Sequence, residues 1–264
     1  MQHHALLSAS KAHRWIECPG SIRLEEQLEP SNHESSFARE GTLAHEYAAK
    51  ALYLRLTSNA PSVDTATILH AVEVPFDMQF AVGMYIEHVL QQAGQGMIRY
   101  GIEAKVLFDD IVPGGFGTCD AWVFNEHTRV LHVVDFKYGR GVSVSADNNP
   151  QLELYAYGIA NRLDITGVPV ENIQMWIVQP RVANGDQISV WTTNLPTLNF
   201  MAETIAKAAE DTQKPDAPLV PGESQCRWCP AKLICPALNG IVEEVHEATP
   251  EEAVKMDVNR LFYP

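Results

Sequence analysis

Apolar and polar positions recur along the chain with two different periods, and the period predicts which segments form helices and which form strands. Residues 35–56 carry aromatic and aliphatic side chains at helical spacing, which predicts a long amphipathic helix. Residues 76–92 predict a second helix, in which Phe80, Met84, Ile86 or Glu87, and Leu90 suggest an amphipathic pattern. Between these helices, residues 56–74 show no clear period, and a loop is expected there.

The middle of the chain has the pattern of a sheet. Residues 97–108 alternate apolar and polar side chains, as a half-buried strand does. Residues 114–124 are a glycine-rich entry into another strand, with Asp120 near its start. Later segments rich in β-branched and aromatic residues predict further strands at residues 131–135, 172–180 and 187–191. Helical patterns occupy residues 151–163 and 195–211. The chain is therefore expected to be an α/β protein, with a mixed sheet of four or five strands flanked by helices.

Charged residues stand at the end of the most apolar strand. Asp135, Phe136 and Lys137 follow the apolar run at residues 131–134. Because strand side chains alternate in direction, Asp135 and Lys137 share one face. Asp120 lies one hairpin upstream, so two carboxylates can approach each other and favour a divalent cation with oxygen ligands. The alternative is two solvated acids with Lys137 as their surface partner.

A longer series of residues resembles a known family. The series contains, in chain order, His45 after Gly41-Thr42, then Glu103, Asp120 in a G-x-x-D pattern, the pair Asp135 and Lys137, and Gln151 with Tyr155. This order is similar to the RecB-type branch of the PD-(D/E)XK nuclease superfamily, over about residues 8–240. The resemblance implies a restriction-endonuclease-like core and a metal-dependent DNA nuclease, with exonuclease action expected, in recombination, repair or phage DNA processing.

The resemblance also implies roles for individual side chains. The catalytic residues would be His45, Asp120, Asp135, Lys137, Gln151 and Tyr155. The ligands of one or two Mg²⁺ or Mn²⁺ ions would be His45, Glu103, Asp120, Asp135 and the carbonyl oxygen of Phe136. Plainer interpretations stay open for His45 as a packed helix residue, for Glu103 as an exposed strand residue, for Gln151 as a helix cap and for Tyr155 as a core side chain.

Four of the five cysteines form a second candidate site. Cys226, Cys229 and Cys235 have the spacing C-x2-C-x5-C, and Cys18 falls in a turn between two short predicted helices. Four thiolates suit either a [4Fe-4S] cluster or Zn²⁺. The one-plus-three arrangement resembles the iron–sulfur staple of AddB-type helicase-nucleases and of CRISPR adaptation nucleases, which favours the cluster. Cys119, the fifth, is expected to be a small buried residue.

Charge and composition narrow the interpretation. Nineteen basic and thirty-three acidic residues give a net charge of -14, which argues against a basic surface that wraps nucleic acid. A local cleft with metal ions can still bind a phosphate backbone, so weak DNA binding without divalent metal is expected. The N-terminal residues lack the features of a signal peptide, and no run of eighteen apolar residues occurs. A cytoplasmic location in a bacterial or phage-infected cell, with no membrane partner, is therefore expected.

These observations predict four regions. A helical N-terminal part spans residues 1–95, a nuclease core spans 96–212, a cysteine segment packed on the core spans 213–240, and an acidic tail spans 241–264. DNA is the expected partner, with a helicase or recombinase as a further candidate. Two other functions stay open: a DNA-binding or scaffolding protein that retains the nuclease fold without turnover, and a zinc-stapled interaction module whose acids are incidental.

Overall fold

The N-terminal part of the chain is helical. The computed structural model describes residues 5–28, 35–57, 63–164, 167 and 169–247. A 3-10 turn at Ala9–Lys11 leads into the helices of this part, which are α1 (Ala12–Glu17), α2 (Ser21–Glu25), α3 (Ser36–Thr57), α4 (Thr65–Ala71) and α5 (Phe76–Ala93). Ser35 caps α3, because its hydroxyl oxygen accepts the amide hydrogen of Ala38 at 3.1 Å.

Two expectations for this helical part are wrong. The loop expected at residues 56–74 contains α4, which begins after Asp64, whose carboxylate accepts the amide hydrogen of Thr67 at 2.7 Å; residues 58–62 lie outside the described residues. A seven-residue helix is too short to show a clear apolar period. In α5, Ile86 is buried and Met84 and Leu90 pack against the core as expected, but Phe80 is exposed.

The sheet has five strands in the order of the chain. They are β1 (Ile98–Leu107), β2 (Phe116–Asn125), β3 (Val130–Phe136), β4 (Asn172–Val178) and β5 (Ile188–Thr193). The pairs β2–β3 and β4–β5 are antiparallel, whereas β3 and β4 are parallel and are connected through α6 (Pro150–Asp164). The predicted α/β class is confirmed, with a mixed sheet flanked by helices.

The central strand and the following helix position the candidate catalytic residues. β3 is buried at six of its seven positions, which matches its nearly continuous apolar sequence. α6 starts with Pro150 at its first position, and the Asn149 side-chain oxygen accepts the amide hydrogen of Gln151 at 3.1 Å. Gln151 is thereby fixed in the first turn of a helix that contacts β1, β3 and β4.

The chain divides into two compact units. One unit is formed by Asn32–Leu107 and Gly117–Phe200, and the other by Met1–Ser31, Phe108–Phe116 and Met201–Pro264. Three further helices follow the sheet, α7 (Leu195–Thr212), α8 (Glu223–Arg227) and α9 (Pro236–Glu247). The predicted acidic tail begins within α9, and its residues 248–264 lie outside the described residues. In the part of the chain that the structure describes, no helix has the length and apolar character needed to cross a bilayer.

Candidate metal and catalytic site

A histidine and two carboxylates converge in the unit that contains the sheet. His45 comes from the middle of α3, Glu103 from β1 and Asp120 from β2. The Nδ1 atom of His45 lies 3.2 Å from Oδ1 of Asp120 and 3.9 Å from Oε1 of Glu103. Within the described residues, these three side chains are the one group whose candidate ligand atoms all lie within 4.8 Å of one another.

The spacing of these atoms fits a divalent cation. Two ligands of an octahedral ion with bonds of about 2.1 Å lie about 3.0 Å apart when they are adjacent and about 4.2 Å apart when they are opposite. The two His45 distances fall inside this range. Two carboxylates suit Mg²⁺ or Mn²⁺, and an imidazole nitrogen among the ligands favours Mn²⁺.

The carboxylates make the site negatively charged, and this charge changes the pKa of His45. Burial lowers the pKa of His45, but hydrogen bonds to Asp120 and Glu103 outweigh this effect and raise the pKa to about 10. Without a metal, the imidazole is therefore a cation at neutral pH and stands between the two carboxylates. A divalent ion bound through Nδ1 would replace that proton, because a metal ligand must be the neutral imidazole.

The backbone of Glu103 is unusual at this point. Glu103 has a φ of +46°, in the left-handed region that non-glycine residues seldom adopt. Such a conformation costs on the order of 1 kcal/mol and persists only where the surrounding structure stabilises it. The alternation of apolar and polar side chains predicted for β1 is therefore interrupted at Glu103, which faces His45. The local sequence contains no signal for this interruption.

Asp120 is held by the neighbouring strand. Its second carboxylate oxygen accepts the amide hydrogen of Phe136 at 2.7 Å, while its first oxygen faces His45. Ala121 pairs with Val134, so Asp120 and Asp135 occupy the next position of the same antiparallel ladder. The contact that the structure shows for the Phe136 backbone is this amide; the predicted ligand role of its carbonyl oxygen stays a prediction.

Asp135, Lys137 and Gln151 form a closed polar group beside Asp120. The Lys137 ammonium lies 2.9 Å from Oδ2 of Asp135 and donates to the Gln151 side-chain oxygen at 3.1 Å. The Gln151 side-chain nitrogen donates to Oδ1 of Asp135 at 2.9 Å. Oδ2 of Asp135 is buried, and its partner among the described residues is the Lys137 ammonium.

The charges of this group are set by burial and by mutual attraction. Burial lowers the pKa of Lys137, but the Asp135 carboxylate outweighs it and raises the pKa, so Lys137 is an ammonium at neutral pH. Burial raises the pKa of Asp135; Lys137 opposes that rise and Asp120 adds to it. Gln151 thus orients a buried ion pair, which is more than the helix-capping role that the sequence left open.

Tyr155 lies one turn further along α6. Its side chain is 3% exposed, and burial raises the pKa of its phenol, which therefore keeps its proton at neutral pH. The ring lies against Gly117, where an added Cβ would come within 2.7 Å of a ring carbon. The glycine of the G-x-x-D pattern is thus required by the packing of Tyr155. The catalytic role of Tyr155 stays a prediction.

The four candidate cluster cysteines lie together in the other unit. Cys18 is in the turn between α1 and α2, and its sulfur accepts the amide hydrogen of Val220 at 3.2 Å. An added Cβ at Gly20 would lie 2.6 Å from the carbonyl oxygen of Ala217, so this turn approaches the segment before the cysteine motif closely. Cys226 accepts the amide hydrogen of Gly222 at 3.4 Å. Burial raises the pKa of the Cys18 and Cys229 thiols.

These cysteines do not form a closed zinc site. Tetrahedral bonds of about 2.3 Å would place zinc-bound sulfurs about 3.8 Å apart. Among the described residues, no three cysteine sulfurs lie within 4.8 Å of one another. A cluster carried by Cys18, Cys226, Cys229 and Cys235 therefore stays a prediction. Cys119 is 1% exposed in β2, which confirms the expectation of a small buried residue.

Together, the sheet and the strand-end residues define an α/β protein with a candidate site for a divalent cation. A family model described as "Protein of unknown function (DUF2800)" matches residues 4–261, and the chain belongs to this family. The match includes both His45 and the four cysteines. Because that description names no activity, the function has to be argued from the chemistry of the site.

Proposed function

We propose that this protein is a metal-dependent DNA nuclease of the RecB-type branch of the PD-(D/E)XK superfamily, with exonuclease action on DNA in recombination, repair or phage DNA processing. One juxtaposition supports the proposal most strongly. The His45, Glu103 and Asp120 ligand atoms lie within 4.8 Å of one another, and the Asp135–Lys137 ion pair stands at the next position of the sheet ladder. A cation-binding site alone would require the first group, whereas a hydrolytic site also benefits from an oriented ammonium beside it.

The residues would divide the work as follows. A divalent ion at His45, Glu103, Asp120 and Asp135 would neutralise phosphate charge and lower the pKa of an attacking water. Lys137 would orient that water and stabilise the charge that develops on the phosphoryl oxygens as a bond forms between the water oxygen and phosphorus and the bond to the leaving sugar oxygen breaks. Gln151 would keep the ammonium in place, because it contacts both Lys137 and Asp135.

The same proposal assigns the cysteines and the setting. Cys18, Cys226, Cys229 and Cys235 would bind a [4Fe-4S] cluster, with structural Zn²⁺ as the alternative, and would tie the N-terminal turn to the C-terminal segment. The amide hydrogen bonds to the sulfurs of Cys18 and Cys226 support this assignment, since such bonds tune cluster thiolates. We place the activity in the cytoplasm of a bacterial or phage-infected cell, acting on DNA delivered by a helicase or recombinase.

Cleavage of end-labelled single- and double-stranded DNA tests the proposal. Protein purified without oxygen is incubated with Mn²⁺, Mg²⁺ or EDTA, and Lys137→Ala is compared with the wild type. We expect metal-dependent cleavage whose rate falls about 10²–10³-fold in Lys137→Ala. An oriented positive charge beside the negative charge that develops in the transition state contributes about this much.

Lys207→Ala is the matched control, because Lys207 is an exposed lysine on α7 and its loss changes the net charge equally. Circular dichroism confirms that each variant is folded. Equal cleavage by wild type and Lys137→Ala would contradict the nuclease assignment. DNA binding without cleavage of any substrate would instead support the scaffolding protein.

A further inference from the structure

The loop at residues 139–144 follows Lys137 closely and has an unusual support. Its residues 139–143 are exposed. Gln179, which is 3% exposed just beyond β4, uses its side-chain nitrogen to donate to the carbonyl oxygens of Gly139 at 3.2 Å and Val142 at 2.8 Å. Its side-chain oxygen accepts the amide hydrogen of Val144 at 3.0 Å. One buried amide therefore holds the loop at three points.

The backbone of Gln179 is also held in place by a hydrogen bond. The backbone amide of Gln179 donates to the carbonyl oxygen of Gln187 at 2.7 Å, next to the β4–β5 pair. Burying a side-chain amide is unfavourable unless its polar atoms are hydrogen-bonded, and here both donors and the acceptor are used. The loop is thus fixed to the sheet by a satisfied polar contact, which gives an exposed segment a defined shape.

The fixed loop presents an arginine that has no partner. Arg140 is exposed, and among the described residues it forms no ion pair or hydrogen bond. Two other arginines of this unit differ, because Arg181 pairs with Glu40 at 3.0 Å and Arg129 pairs with Glu171 at 2.6 Å. Arg39 and Arg162 of this unit are also exposed without an ion pair or side-chain hydrogen bond among the described residues, so the support of its loop by Gln179 is what distinguishes Arg140. A guanidinium on such a loop is open to a negatively charged ligand.

The position of Arg140 relative to Lys137 limits what that ligand can be. Three residues of chain span at most about 11 Å, so the Cα atom of Arg140 lies within about 11 Å of the Cα atom of Lys137. A guanidinium presents paired N–H donors that match a phosphate, and backbone phosphates repeat along a strand that enters the site. A loop of fixed shape would hold the guanidinium for one of them with little loss of entropy.

We propose that Arg140 binds a backbone phosphodiester of the DNA strand beside the scissile phosphate, and that Gln179 acts as the positioning residue for the Arg140 loop. This inference rests on the proposed nuclease function for its substrate class. It adds a substrate contact outside the metal ligands and outside the Asp135–Lys137 pair. Its test measures binding, whereas the nuclease proposal is tested by cleavage.

The experiment measures DNA affinity as a function of salt. The full chain carries Lys137→Ala to prevent cleavage, and binding of a fluorescent single-stranded oligonucleotide without terminal phosphates is followed by anisotropy with Mn²⁺ between 50 and 200 mM salt. We expect Arg140→Gln to weaken binding about 3- to 10-fold and to lower the slope of log K against log salt by about 0.7, the value for one phosphate contact on a single strand. Arg140→Lys should keep the slope.

Arg162→Gln is the matched control. Arg162 is an exposed arginine near the far end of α6, about 16 Å along the helix from Gln151, and its substitution changes the net charge equally. It should leave the slope unchanged. Gln179→Leu should reproduce the Arg140→Gln slope, and the two changes together should cause no further loss. If Gln179→Leu does not fold, Arg140→Gln against Arg162→Gln still decides the phosphate contact.

Each outcome has one meaning. Equal slopes for Arg140→Gln and Arg162→Gln would overturn the phosphate contact, even if the wild type cleaves DNA. A normal slope in folded Gln179→Leu would overturn the positioning role. A wild type that cleaves nothing, combined with a reduced slope in Arg140→Gln, would overturn the nuclease function and leave the phosphate contact standing.

Discussion

The two regions that gather candidate metal ligands differ in how those ligands are held. His45, Glu103 and Asp120 come from a 22-residue helix and two ten-residue strands, and their ligand atoms lie within 4.8 Å of one another. Cys18 lies in a turn, Cys226 lies in a five-residue helix, and Cys229 and Cys235 lie in the short connections that follow that helix and a 3-10 turn. No three of their sulfurs reach that spacing among the described residues. Long elements fix side chains through many contacts, whereas short ones do not.

The hydrogen bonds accepted by the two sets of ligands also differ in strength. Asp120 accepts the backbone amide hydrogen of Phe136 at 2.7 Å, and Asp135 accepts a side-chain amide hydrogen of Gln151 at 2.9 Å. The sulfurs of Cys18 and Cys226 accept amide hydrogens at 3.2 and 3.4 Å, which are weaker interactions. The carboxylate site is therefore organised before a metal binds, while the cysteine region would be organised by its metal.

The largest expected effect concerns the cysteine region. If a metal or cluster organises it, Cys226→Ser should remove the bound iron or zinc and lower the free energy of unfolding by more than about 4 kcal/mol, because metal binding and folding are coupled. Metal analysis, absorbance at about 400 nm for an iron–sulfur chromophore, and urea unfolding measure this.

Cys119→Ser is the control for that experiment, because Cys119 is equally a cysteine but lies buried in β2. It should keep the metal content and lose only about 1–2 kcal/mol for burying a hydroxyl. Unchanged metal content and stability in Cys226→Ser would mean that the cysteine region, like the carboxylate site, is organised by the protein alone.

A smaller effect is expected at the carboxylate site, because it is already assembled. Asp120→Asn should weaken Mn²⁺ binding about 100-fold and Glu103→Gln about 10-fold. The order follows the structure, since Asp120 is nearer to His45 than Glu103 is, at 3.2 against 3.9 Å, and its side chain is 14% exposed against 40%.

Isothermal titration of metal-free protein with Mn²⁺ measures these affinities. Glu203→Gln on the exposed side of α7 serves as the charge-matched control. The unfolding transition of metal-free protein should change little in these variants. A collapse of stability in Asp120→Asn would show that the carboxylate site also needs its ion in order to fold, and the contrast between the two regions would disappear.

A third effect concerns an acid that the proposed chemistry does not use. Glu153 on α6 is 5% exposed, and burial raises its pKa from 4.5 to about 7. Its contribution to stability is therefore fully present below pH 4.5 and is lost as the pH rises through 7. The free energy of unfolding of Glu153→Gln, taken relative to that of the wild type, should rise by about 2–3 kcal/mol from pH 5 to pH 8. An equal difference at both pH values would show that folding does not raise the pKa of Glu153.

Particular residues show which features the sequence predicted and which it did not. Strand alternation predicted that Asp135 and Lys137 share a face, and the two groups lie 2.9 Å apart. The helix start near residue 151 was predicted, and Asn149 caps it. By contrast, the sequence contained no signal for the left-handed backbone of Glu103 or for the three contacts of Gln179 with the loop at residues 139–144.

The sequence by itself determined the class of fold, the boundaries of the long elements and the order of the candidate catalytic residues, because apolar periodicity and capping act between near neighbours in the chain. Tertiary structure alone decided that Phe80 stays exposed on α5, a helix that contacts α3, α4 and β3 at once. It also decided that α3 brings His45 to Asp120, and that the cysteines gather without closing around one point. These outcomes depend on contacts between residues far apart in the chain, which no local pattern specifies.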